Sequence, residues 1–288
     1  MKTQKHRPAF SLIELLAASA MLAILATIVV NVVGSVRQRA MTSKSMSNIR
    51  ELVTANYACV AETGRFAKAE ISSDTVRWHG KRLSANNWVG YDGYLTQYLG
   101  QDRSVRKCPV MEQILEENEG AQFDKGTGGY GYNAFYLGND PGKMSTAASS
   151  SGSSSTSFGG FDFGQVKTSA ETIPNNPNSL IDPANTVMFT SSALVRDGGV
   201  VETYLSAPYY SLDNGELDQA LTPTVHFRFN GKALVAWCDG HVTLEEPNDS
   251  DTSHNVYGDS NGKYTVGWFG PTDNNGYWNP HYKLGKPY

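Results

Sequence analysis

The 288-residue chain has only 3 cysteines, Cys59, Cys108 and Cys238, and no C-x-x-C pair. That excludes a disulfide-built scaffold and a cysteine zinc cluster, and leaves room for at most one internal bridge. Charge is also scarce: 18% of residues are charged, 24 basic against 28 acidic, for a net of -4. No basic surface is available for nucleic acid, so nucleic-acid binding is excluded. Catalytic signatures are missing as well, with no G-x-S-x-G, phosphate-loop or H-E-x-x-H string anywhere in the chain. Gly126, Gly128 and Gly131 satisfy G-x-G-x-x-G, yet the flanks QFDK and YNAFYLGNDPG supply neither the strand before nor the helix after that a dinucleotide site needs. A membrane-tethered hydrolase lacks any nucleophile-base arrangement here, and no enzyme activity is expected.

The most telling absence is local. Between Glu14 and Arg37 no residue is charged, which leaves 22 uncharged residues from Leu15 to Val36. As a helix this run spans roughly 33 Å, about the thickness of a bilayer's hydrocarbon core. Lys2, Lys5, His6 and Arg7 precede it. A secretory signal would have an apolar stretch of only about 7 to 15 residues before a small-residue cleavage site, which Ala18-Ser19-Ala20 imitates. The apolar run continues to Val33, however, and Glu14 would sit inside the signal's core. An ionisable group at bilayer depth costs on the order of 3 kcal/mol and is usually kept for a partner. Glu14 either lies near the inner interface and reaches back to water, or is neutralised by the amine that loss of Met1 to Ala9 would create on Phe10 of a neighbouring copy.

The string RPAFSLIELLAASAML resembles the N-terminal processing motif of type IV prepilins and type II secretion pseudopilins. The resemblance implies a basic leader, residues 1–9, cut between Ala9 and Phe10 by a prepilin peptidase, with N-methylation at Phe10. It also implies that Glu14 aligns subunits during assembly with other pilin-like subunits and their machinery. The residue before the cut is usually Gly and here is Ala9; the mid-span proline of many members is also missing. Flanking charge does not orient the span, since Lys2, Lys5 and Arg7 on one side face Arg37, Arg39, Lys44 and Arg50 on the other. The resemblance implies a single pass through the inner membrane, leader inside, with the head in the periplasm or, after assembly, outside the cell. Loss of the leader leaves 21 basic against 28 acidic residues, a net of -7.

The helix is expected to span 10–62, crossing the lipid bilayer over about 12–36 and continuing with Met46, Ile49, Leu52, Val53 and Tyr57 on one face. Thr63-Gly64 is the expected stop. A bundle helix after a short anchor is the alternative. The fold class expected is α+β, with a long N-terminal transmembrane helix packed on an antiparallel β-sheet head over 63–288, pilin-like. Short helices are expected around Leu95 to Leu99 and from Met111 to Glu119. The Ser-rich stretch 143–160 should be a loop, because such composition cannot bury enough apolar surface to offset ordering.

Asn230-Gly231 and Asp239-Gly240 fit two-residue hairpin turns, predicting three antiparallel strands at 224–229, 232–238 and 241–245. In the second hairpin Val235, Trp237, Val242 and Leu244 would share one face. Val225, Phe227 and Phe229 fall on the opposite face with Leu234 and Ala236, so either both faces are covered or a bulge intervenes. The string FNGKALVAWCDGHV is similar to the H-X9-DG motif of prepilin-like proteins: Asp239 and Gly240 match, and Phe229 stands where the His would be. KCPVMEQ, GYGYNAFYLGN and GWFGPTDNN look like segments of the same family.

Metal-ligand candidates are few. His226, Cys238, Asp239 and His241 lie near one another on the expected hairpins. Asp249, Asp251, Asp259, Asn261 and Asp273 offer loop oxygens without EF-hand spacing, where similar pseudopilins bind calcium; plain solvated loops are the alternative. Cys59 with Cys108 is the preferred disulfide, since each adjoins an element end and an oxidising exterior would permit the bond, although spacing does not fix connectivity. The last 32 residues hold Tyr257, Tyr264, Trp268, Phe269, Tyr277, Trp278, Tyr282 and Tyr288. These rings either cover the sheet or form a sugar-stacking platform, the basis of a rival reading as a membrane-anchored or secreted glycan-binding or adhesive module.

Overall fold

Ala, Leu and Met with few β-branched interruptions favour helix over the first third of the uncharged run, and no proline stands between Pro8 and Pro109. The result is α1 (Leu12–Thr63), 52 residues. It ends where Gly64 takes φ +75° and its amide donates to the Val60 carbonyl at 2.7 Å, a conformation glycine adopts without steric cost. The computed structural model describes residues 11–70, 76–84, 87–101, 103–117, 126–138, 157–158, 161–162, 176–196, 198–213, 216–248 and 263–282. Side chains at 28–32, 84, 87, 117, 157–158, 161–162, 211–213, 216 and 218–219 lie outside that description. The chain divides after Ser43 into two units, each taken by itself.

In the second unit, the stretch of α1 from Lys44 onward packs on the head. Ile49, Leu52, Val53, Ala55 and Cys59 are buried, and so are the polar Ser45, Asn48 and Asn56. Met46 and Tyr57, expected on the same face, are only half-buried. The polar members hydrogen-bond main chain: Asn48 Nδ2 donates to the Lys107 carbonyl at 2.8 Å and Asn56 Oδ1 accepts from the Ala67 amide at 2.9 Å. A periodicity built on apolar residues alone does not register them.

The head's strands in chain order are β1 (Val76–Arg77), β2 (Gly80–Ser84), β3 (Asn87–Val89), β4 (Tyr130–Tyr132), β5 (Ser157–Phe158), β6 (Phe161–Asp162), β7 (Val187–Ser191), β8 (Leu194–Arg196) and β9 (Gly199–Val201). They continue with β10 (Tyr210–Asp213), β11 (Glu216–Ala220), β12 (Val225–His226), β13 (Ala233–Trp237), β14 (Val242–Glu245) and β15 (Val266–Gly267). The helix α2 (Pro109–Glu117) opens on a proline, well suited to a first helical position, and the expected helix before it is the 3-10 turn Thr96–Tyr98. The class is α+β, and every ladder between these strands is antiparallel. Of the Ser-rich stretch, Ser157–Phe158 pairs with Phe161–Asp162, and the remainder lies outside the described residues.

The central sheet has the order β14-β13-β7-β4, and this corrects the expected three-strand meander. At Asn230-Gly231 the two-residue turn forms, with φ of 54° and 78°, and Phe229 and Lys232 exchange hydrogen bonds. Beyond that bridge the chain departs: β12 pairs with β15, and the free edge of β13 is taken by β7. Both faces of β13 and β7 are buried along their whole length, so the covered-on-both-faces alternative holds. At Asp239-Gly240 the loop has three residues rather than two. Trp237 and His241 close it, Ala236 faces Val242 and Leu234 faces Leu244, and Gly240 takes φ +94°, the geometry of a turn followed by a left-handed residue. That single extra residue moves Val242 and Leu244 to the face of Leu234 and Ala236, because register slips of one invert the faces.

Gly131 in β4 marks the tightest crossing. The segment carrying Leu205 runs beside it, with the Tyr132 amide donating to the Tyr204 carbonyl at 2.9 Å and the Ser206 amide to the Tyr132 carbonyl at 2.8 Å. A Cβ at Gly131 would stand 2.2 Å from the Leu205 carbonyl oxygen. Gly131→Ala should therefore cost about 1–3 kcal/mol or more as backbone is forced aside, read as a lower urea midpoint; an unchanged midpoint would show that the segment gives way freely.

Candidate functional site

Ala9 and Phe10 lie outside the described residues. The first described residue, Ser11, caps α1: its Oγ accepts from the Ile13 amide at 3.4 Å, and Glu14 Oε2 accepts from the Ser11 amide at 3.0 Å. This is the Glu half of a capping box, with the Ser11 hydroxyl on the second helical amide rather than the third, and the Ser-x-x-Glu spacing is its sequence signal. Glu14 thus satisfies a helix-end amide within its own chain as well as bringing a carboxylate to the start of the apolar run.

Ten large apolar side chains of this unit, Leu12, Ile13, Leu15, Leu16, Met21, Leu22, Ile24, Leu25, Val33 and Val36, are 56–87% exposed. Their spacing puts them on every side of the helix rather than on one stripe. The few hydroxyls among them turn back on their own helix: Ser19 donates to the Leu16 carbonyl at 2.9 Å and Thr27 to the Ala23 carbonyl at 2.8 Å. Such back-bonding satisfies a hydroxyl within its own helix. Among the described residues no helix is long and apolar enough to cross a membrane, so the expected transmembrane helix is not found there.

The remaining candidates fall in the head. Asp239 Oδ1 accepts from the His241 amide at 3.0 Å and lies 2.5 Å from its Nδ1, while the His241 ring stacks on Trp237 at 5.5 Å. Asp239 and Gly240 therefore shape a hairpin tip. Cys238 points inward and fully buried, its thiol pushed well up by burial and by the Asp239 charge, and its carbonyl accepts from the Tyr57 hydroxyl. His226 is buried against Arg228, with Nδ1 3.1 Å from Nη1. These four do not converge, and among the described residues no three His, Cys, Asp or Glu side chains are placed to hold a metal. Asp273 begins a 3-10 helix; Asp249, Asp251, Asp259 and Asn261 lie outside the described residues.

The expected Cys59–Cys108 disulfide is corrected: both cysteines are free. Cys108 Sγ lies 3.2 Å from Ser45 Oγ, and Cys59 sits fourteen residues further along the same helix, about 21 Å away along its axis, far beyond disulfide reach. Burial pushes the Cys108 thiol up, but the Arg228 guanidinium and the Ser45 hydroxyl outweigh it and leave the thiol below its ordinary value.

Two buried cationic clusters had no sequence signal. Arg228 donates to the carbonyls of Gly129 and, at 3.4 Å, Ser192. Arg77, fully buried, is stacked between the rings of Tyr204 at 3.8 Å and Trp88 at 4.1 Å, with Glu70 Oε2 3.8 Å from its Nε. Residues far apart in the chain meet here, and nothing in local patterning marks them. The C-terminal rings Trp268, Phe269, Trp278 and Tyr282 are also buried, with Trp268 Nε1 donating to the Pro208 carbonyl at 3.1 Å and Trp278 Nε1 to Ser206 Oγ at 3.0 Å. They seal the sheet, as large aromatics do in β-rich heads. Comparison with known proteins finds no family model, no curated protein and no solved structure that matches the chain.

Proposed function

We propose that this chain is a structural subunit of the type IV pilin and type II secretion pseudopilin kind. A prepilin peptidase removes residues 1–9, the new terminus at Phe10 is methylated, and the N-terminal helix anchors the subunit in the inner membrane before packing with other pilin-like subunits. The head, a pilin-like α+β body built on the C-terminal stretch of α1, is carried into the periplasm or beyond. The observation behind this reading is the set of ten exposed apolar side chains on a helix that opens with Ser11 and Glu14, directly after a basic leader. Apolar surface of that extent on a soluble monomer is unusual and calls for lipid or neighbouring helices. The glycan-binding alternative needs open rings; Trp268, Phe269, Trp278 and Tyr282 are buried in the head, and Tyr264 and Tyr277 are half-buried.

Intact mass and N-terminal sequencing of protein taken from native membranes test this directly. A chain beginning at methylated Phe10 is expected. A chain beginning at Met21 would replace the reading with ordinary secretion, since that terminus follows Ala18-Ser19-Ala20.

A further inference from the structure

We propose that Cys108 is the anionic partner of Arg228, and that the two form a buried ion pair locking α1 and α2 onto the head. The inference is independent of how the N-terminal helix is used, since every residue involved lies after Ser43. It starts from an unbalanced charge. Arg228 is 8% exposed, its Nε has no hydrogen-bond partner, and it joins no ion pair with a carboxylate among the described residues. A guanidinium does not give up its proton, and a buried cation without a counter-charge is costly.

The main chain brings Cys108 beside it. The Cys108 amide donates to the Gly128 carbonyl at 2.9 Å, and Arg228 Nη2 donates to the next carbonyl, that of Gly129. Gly129 has φ +79°, and a Cβ there would stand 2.7 Å from Met111 Cγ and 3.0 Å from Arg228 Nη2. Glycine at this position therefore lets α2 and Arg228 approach closely. Cys108 is fully buried and caps α2, its carbonyl accepting from the Glu112 amide at 3.0 Å. The amides at a helix N-terminus favour negative charge there. From α1, Ser45 Oγ stands 3.2 Å from the sulfur and donates to it once it is ionised.

The other groups facing this point do not supply the anion. Burial and the Cys108 charge push the Tyr130 hydroxyl well up, and it donates to the Ser45 carbonyl at 3.1 Å. His226 is kept neutral by burial and by Arg228. Lys107 and Glu112 pair with each other at 3.0 Å. Burial opposes ionisation of Cys108, but Arg228 and Ser45 outweigh it. Protonating the sulfur leaves Arg228 unpaired. The lock therefore strengthens as pH rises toward the ordinary thiol value, where the unfolded chain still holds the proton, and is lost as pH falls through the lowered folded value.

The test uses the full chain. C108D and C108N are equal in size and differ in charge. C108D should keep the pair, and the folding constant of the head should be about a hundredfold lower in C108N, where Arg228 has no counter-charge. Amide hydrogen exchange over residues 44–48 should be faster in C108N than in C108D. In the parent, the ultraviolet absorbance of the thiolate, taken against C108A, should appear with a midpoint below the ordinary thiol value and vanish when urea unfolds the chain at the same pH. Over that interval the parent's folding constant should rise by up to about tenfold per pH unit, a rise missing from C108A. Equal folding constants for C108D and C108N, or a thiolate band appearing only at or above the ordinary value, overturns the ion pair. Equal exchange over 44–48 overturns the lock. If the substituted chains do not fold, the parent's absorbance before and after urea decides by itself.

Discussion

Replacing Glu14 by alanine is expected to abolish filament assembly while the head keeps its unfolding midpoint. The carboxylate has two separable roles. As a cap it accepts the Ser11 amide at 3.0 Å, worth about 1 kcal/mol to the local helix. As a charge within an apolar run it costs on the order of 3 kcal/mol unless a cation neutralises it, and a neighbouring subunit's new amine would be that cation. Glutamine separates the two, because its carbonyl still accepts the Ser11 amide, as in capping boxes built with Gln, but the charge is gone. If charge pairing governs assembly, E14Q and E14A fail alike in filament yield seen by electron microscopy. Filaments from E14Q and none from E14A would assign the residue to capping and remove the role proposed for its charge. The buried core of the head lies after Ser43, so neither variant should alter urea unfolding of that unit.

Acid is expected to destabilise the head steeply. Burial, with Arg77 beside it, holds His79 well below its ordinary value, and burial together with Arg228 does the same for His226. Both are therefore neutral in the folded head but take up protons when unfolded once the pH falls below about 6.5. The unfolded state then binds more protons than the folded one, so stability present at neutral pH is lost on acidification, at about 1.4 kcal/mol per pH unit for each group and about 2.7 for both. His79 offers the sharper control. Neither ring nitrogen has a hydrogen-bond partner among the described residues, and the ring sits 5.3 to 6.4 Å from those of Trp78, Trp88 and Tyr204. Burying an unsatisfied polar group is costly, so His79→Phe should gain about 1–2 kcal/mol at neutral pH and remove about half of the acid slope. A urea midpoint as acid-sensitive in that variant as in the parent would disprove the account for His79.

The long helix and its end were legible in the sequence because both are local: an unbroken run without proline, closed by a glycine free to adopt a positive φ. The turn at Asn230-Gly231 was legible for the same reason, since both residues tolerate the left-handed region. The Asp239-Gly240 turn was located but its length was not, because dipeptides of this type close loops of two or three residues, and the one extra residue inverted the face assignment of β14. The neighbours of β13 were not legible either. Strand edges compete for partners from the whole chain, and β7, some forty residues earlier, offers Phe189 and Thr190 opposite Ala236 and Val235 where the nearer β12 does not.

The candidate site divides along the same line. Glu14 and the apolar run it opens could be identified from composition and spacing alone, since both belong to one continuous segment. The buried polar groups could not. Asn133 Nδ2 bridges the carbonyls of Val187 and Trp278 at 2.9 and 2.8 Å across 145 positions of chain, and Arg77, His79 and Arg228 are buried by elements distant in sequence. Local chemistry determined where the chain is helical and where it turns. Tertiary structure alone decided strand order, register, the fate of the cysteines and which polar groups are buried, because each depends on long-range partners whose hydrogen bonds and packing must all be satisfied together.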